Sequence, residues 1–63
     1  MLVQFTEAFT GNAVSVNPQF VIAVFTAVDG DQKGKTVIGV SNGSVVVNED
    51  YLTVIGTVNG ALN

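Results

Sequence analysis

The sequence predicts an all-β domain, a small antiparallel β-barrel or roll of about five strands, with a C-terminal segment open to a short helix. Three observations carry that prediction. Short runs rich in Val, Ile, Phe and Thr recur along the 63 residues, separated by Gly, Asn, Asp and Pro. Two N-terminal runs alternate apolar and polar residues, the pattern of half-buried strands. Asn42-Gly43 stands between two β-branched runs and takes positive φ cheaply, which suits a two-residue type I′ hairpin.

A chain of this length, residues 1–63, makes one domain with a small core, marginal as a lone monomer. It contains no cysteine and no histidine, so a disulfide brace and a Cys/His zinc site are both excluded. Self-association is the remaining remedy. Composition agrees: 48% of residues are hydrophobic and 11% are charged, against about 25% charged in ordinary soluble domains. That leaves apolar surface to be exposed or paired.

The elements follow in order. Leu2 to Thr6 alternates, with Val3 and Phe5 on the core side. Thr10-Gly11-Asn12 makes a turn, and Ala13 to Asn17 alternates again with Val14 and Val16 inward, so the first two strands form a hairpin. Asn17-Pro18 breaks the second strand. Phe20 to Val28 is apolar on both faces, with Phe20, Ile22 and Val24 on one side and Val21, Ala23 and Phe25 on the other. A strand with two apolar faces needs cover on both, and the chain holds little to supply it. Asp29 to Lys35, charged and glycine-punctuated, is an exposed loop. In the hairpin that follows, a turn at Asn42-Gly43 sets Val40 opposite Val45 and Ile38 opposite Val47, and gives those four the core face. Residues 48–62 read two ways. As a helix, Asn48 caps it, Glu49 and Asp50 sit in its first turn, and Tyr51, Leu52, Val54, Ile55, Val58 and Leu62 form a stripe. As a strand, its Val, Ile, Thr and Gly56 are well placed. The balance tips to the helix.

Residue types limit the chemistry. Without Cys or His no Ser-His-Asp or Cys-His arrangement exists, and no glycine-rich phosphate cradle occurs. Asp29 and Asp31 begin a stretch that echoes a calcium loop at its first, third and sixth positions. Lys33 at the fifth position and Val40 at the twelfth break the pattern, so a solvated loop is the expectation and no metal or other cofactor is expected. Asn42-Gly43-Ser44 matches a glycosylation acceptor but reads as a turn, since the N-terminus shows no secretory signal. Phe5 and Phe20 fit a core. Phe9 and Phe25 are left over, and Phe25 shares its face with Val21 and Ala23. These four, Phe9, Val21, Ala23 and Phe25, are the candidate interface.

The order Val16-Asn17-Pro18-Gln19-Phe20-Val21-Ile22-Ala23-Val24, Lys35-Thr36-Val37-Ile38, Ser41-Asn42-Gly43-Ser44 and Val45-Val46-Val47-Asn48-Glu49 resembles the small FlbD-like proteins over roughly residues 2 to 55. Those proteins read as a short strand pair, an Asn-Pro-Asp turn into a strand, a Ser/Thr-Asn-Gly hairpin and a short acidic C-terminal helix. They are encoded in flagellar operons and by phages or prophages. This chain departs from them in its longer Asp29–Lys35 loop and in Gln19, where they carry an acidic residue. The group has no known catalytic residues to carry over. A weaker echo, in Ile38 to Asn42 with Val45, Val47, Glu49 and Tyr51, is of the carbon-storage regulator CsrA, an intertwined β dimer that binds RNA through basic residues missing here.

The resulting expectation is a non-enzymatic phage or bacterial accessory protein of the cytoplasm, acting by protein–protein binding. Its partners are further copies of itself and a host or virion protein. The alternative is a structural subunit of a virion or filament, built by strand pairing at Ser44–Val47 and Phe20–Phe25. Nucleic acid is not expected as a partner, because Lys33 and Lys35 are the only basic residues against a net charge of −3. Nor is a membrane, since the apolar runs fall far short of the about 20 residues a spanning helix needs.

Overall fold

In a computed structural model that describes all of Met1–Asn63, the alternating segments become strands where the sequence places them. The strands are β1 (Val3–Thr6), β2 (Ala13–Val16), β3 (Val21–Thr26), β4 (Thr36–Val40) and β5 (Gly43–Val47). The C-terminal segment is a helix, α1 (Tyr51–Leu62). The strands form two antiparallel sheets, β1-β2 and β3-β4-β5, and no closed barrel. The chain is therefore mostly β with one terminal helix.

The first hairpin forms as expected, with Val3 opposite Val16 and Phe5 opposite Val14. Its free edge meets the other sheet at one end. Glu7 bridges to Val47, the Ala8 N–H donates to the Val46 carbonyl at 2.9 Å, and the Asn48 N–H donates to the Thr6 carbonyl at 2.9 Å. The two inner faces close over one cluster of Val3, Phe5, Val16, Ile38, Val47, Val54 and Val58. The last two come from α1. The helix presents Val54 and Val58 to the sheets and leaves Leu52 and Leu62 outward. The expected stripe is therefore narrower than six residues.

The β4–β5 hairpin keeps its predicted faces but not its predicted pairs. Val40 stands opposite Gly43 and Ile38 opposite Val45. The loop is Ser41-Asn42, no non-glycine residue has positive φ, and Gly43 is absent from the positive-φ glycines. Slipping the register by two residues leaves every side chain on its face, so a period-two pattern cannot tell these pairings apart. The observed one carries the ladder down to Thr36 opposite Val47, and both are buried.

Two further expectations are corrected. Asp50, not Asn48, caps the helix, accepting from the Thr53 N–H at 3.2 Å. Asn48 is occupied instead by the seam to β1 and by Lys35 Nζ, which donates to its Oδ1 at 2.9 Å. Phe20 lies not in a strand but in a 3-10 turn, Pro18–Phe20, capped by the Asn17 side chain, and is 58% exposed. The Asp29–Lys35 loop is exposed as expected, apart from half-buried Gln32.

The backbone assigns different prices to two glycines. Gly34 has φ +86°, whereas Gly43 has ordinary φ and open space where a Cβ would stand. Gly34→Ala is expected to destabilise by about 1–2 kcal/mol, while Gly43→Ala stays within about 0.5 kcal/mol of the parent. Urea unfolding of both variants checks this; a large loss at Gly43 would favour the type I′ turn.

Candidate functional site

The interface candidates are distributed by a single irregularity in β3. Register shifts between Val21, opposite Val40, and Ala23, opposite Gly39, so Ile22 is the extra residue of a bulge. Val40 and Gly39 lie on opposite faces of β4, and so Val21 and Ala23 do too. Val21 therefore joins Val24 against the core cluster. This corrects the expectation that Val21, Ala23 and Phe25 share one face: a bulge shifts the alternation by one, and nothing in an apolar run betrays it.

Ala23 and Phe25 do stay together on the outer face, with Phe25 opposite Val37 and Val37 opposite Val46. Val37 is buried but stands outside the main cluster, while Phe25 remains 50% exposed. Phe9 is not part of this patch. It sits in the β1–β2 turn, 63% exposed, beyond β5 from β3. With β4 and β5 between them, Phe9 and Phe25 are about 15 Å apart. Sequence reasoning missed Ile22 at 73% exposed and Val28 at 81%. Alternation groups Ile22 with Val24, and the bulge turns it to the opposite face. Ile22 and Phe25 share the outer face, while Phe20 and Val28 flank the strand and are exposed as well.

The carboxylates are all engaged or remote. Glu49 is half-buried, and its oxygens accept from the Thr6 N–H at 2.9 and 3.1 Å and from the Thr6 hydroxyl at 2.9 Å. Burial pushes its pKa up, but the Thr6 amide and hydroxyl outweigh this and hold it below the ordinary value. Glu7 lies below its usual range because the Thr10 hydroxyl and the Phe9 amide donate to it. Asp50 is lowered by the Thr53 hydroxyl and amide. These three stay ionised at neutral pH, the opposite of what a general acid needs. Asp29 and Asp31 lie exposed in their loop, and no three His, Cys, Asp or Glu side chains gather anywhere.

A cleft of about 190 Å³ opens at the end away from the β1–β5 seam, lined by Ser15, Val16, Asn17, Phe20, Val40 and Val45 among others. It lacks charge and is smaller than the about 300–1,000 Å³ of ligand pockets. No helix of the chain is long and apolar enough to cross a membrane. Searches of family models, curated proteins and solved structures find no match to this chain.

Glu49 yields a pH prediction. Its folded-state pKa is depressed, so its stabilisation is present above the ordinary Glu value and fades as pH falls through the lowered one. Glu49→Ala should lose about 1 kcal/mol at neutral pH, the modest end for a charge-assisted bond on a half-exposed group. The deficit should shrink in acid. Urea midpoints at pH 7 and in strong acid measure it; an equal deficit at both would remove the carboxylate from the explanation.

Proposed function

We propose that this chain is a non-enzymatic accessory protein that works by protein–protein binding and associates with itself. The observation that supports this is the stretch from Phe20 to Val28, which bears no charge and leaves four large apolar side chains at least half exposed. The lack of Cys and His, and the hydrogen bonds that tie Glu7, Glu49 and Asp50 to neighbouring backbone amides, support the non-enzymatic part. The phage or bacterial setting rests on the FlbD-like resemblance, a host or virion protein as second partner on the exposed apolar surface and low charge, and the cytoplasmic location is part of the same proposal. We read the sheets as two parts of one open roll in the order β2-β1-β5-β4-β3, joined through Glu7 and Val47.

Sedimentation equilibrium tests self-association. The expected result is a mass at least twice that of the chain in the micromolar range; a monomer throughout would overturn the oligomeric part of the reading.

A second reading, a subunit of an extended assembly, is favoured by one feature: β2 and β3 are both terminal strands of their sheets. Two open edges allow head-to-tail propagation where one allows only a closed pair. Electron microscopy of concentrated protein should show filaments under that reading, and small closed particles alone would remove it.

A further inference from the structure

β3 pairs with β4 on one side and has no strand on the other. Residues of an antiparallel strand alternately turn their backbone groups toward the partner and away from it. Ala27 sets the phase. Its N–H donates to the Lys35 carbonyl at 2.9 Å, and its carbonyl accepts from the Gly34 N–H at 2.9 Å. Two and four residues back, Phe25 and Ala23 also face β4. The backbone groups of Val24 and Thr26 therefore face outward, and none of the turn, loop or cap bonds takes them. Edge strands are ordinarily guarded by a charge, a proline or a bulge. Here Pro18 and the Ile22 bulge both precede Val24, and no charge lies between Asn17 and Val28.

We propose that β3 pairs antiparallel with β3 of a second copy, about a two-fold axis through Phe25. The proposal rests on the self-association proposed above and gives it a place. A two-fold perpendicular to the sheet keeps inner faces inner, so opposed residues must belong to the same face. Centring on Phe25 obeys that rule and uses only the regular part of the strand. Val24 then meets Thr26 of the second copy, and Thr26 meets its Val24, which satisfies both pairs of outward backbone groups with four N–H···O bonds. Phe25 meets its own copy at a site without hydrogen bonds, where Cα atoms approach to about 4.5 Å and aromatic rings can stack. The bulge breaks the register before Ala23, so the pairing is confined to Ala23–Ala27 of each copy.

Charge agrees with this arrangement. Asp29 lies beyond the paired segment, and no carboxylate meets another. An edge-to-edge pair of five-residue segments makes an interface of the small, weak class, in keeping with reversible self-association.

Because Phe25 opposes itself, a charge swap tests the axis directly. Phe25→Glu and Phe25→Lys each place like charges across the two-fold and should weaken self-association roughly a hundredfold in sedimentation velocity. An equimolar mixture of the two should restore the dimer. Phe25 is half exposed on the outer face, and circular dichroism shows whether each variant keeps its fold. Independently, amide exchange of the parent chain should slow at Val24 and Thr26 as concentration rises, and this reading stands even where a variant fails to fold. Self-association that ignores both substitutions, or exchange at those amides that ignores concentration, would overturn the β3 pairing and leave the oligomer to another surface. Two monomeric variants that do not rescue each other would overturn the Phe25-centred register. A parent chain that stays monomeric would overturn both the pairing and the oligomer.

Discussion

The joint between β1 and β5 is the constraint on which the rest of the fold depends. An isolated two-stranded hairpin is marginal in water, and β1-β2 has only four residues in each strand. It is held because Thr6, Glu7 and Ala8 continue the ladder of β5, and because Glu49 clamps the Thr6 N–H and hydroxyl. That joint lays Val3 and Phe5 across Ile38 and Val47. It also places the helix, since Asp50, the cap, directly follows the clamping residue. Three functions of the chain (sheet joining, core closure and helix start) thus fall on consecutive residues, Asn48 to Asp50.

The helix is shaped by this placement more than by its own preferences. It contains Gly56 and Gly60 and several β-branched residues, all weak helix formers. A segment of this composition forms a helix when tertiary contacts outweigh propensity, and here Val54 and Val58 supply them against both sheets. The same dependence explains why the sequence alone left helix and strand nearly balanced over residues 48–62. Both local patterns were present, and the deciding contacts were with β1 and β3, far back in the chain.

Other features divide along the same line. Strand positions, core faces and the exposed Asp29–Lys35 loop were legible, because alternation and turn chemistry are local. The pairs Ile38–Val45 and Val40–Gly43 were not, because burial constrains register only to within steps of two. The bulge at Ile22 was also hidden. An apolar residue on either side of a bulge looks the same in sequence, yet the bulge sends Val21 to the core and Ile22 to the surface. For the candidate site this mattered most: Ala23 and Phe25 were placed on one face correctly, and their neighbour was not.

The two open edges are not equivalent, and the difference lies in where the chain puts its few charges and breaks. β2 is short, exposes Ala13 and Ser15, and runs directly into Asn17-Pro18, which cannot extend a ladder. β3 is longer, and its outward groups at Val24 and Thr26 lie past the proline and the bulge. All seven charged residues stand elsewhere, at Glu7, between Asp29 and Lys35, and at Glu49-Asp50. A low charge content spread evenly would give a uniformly weak surface. Gathered into a turn, a loop and a joint, it leaves one edge blank, and an uncharged edge with matched apolar side chains discriminates by backbone register, a form of recognition that a copy of the same strand satisfies on both sides at once.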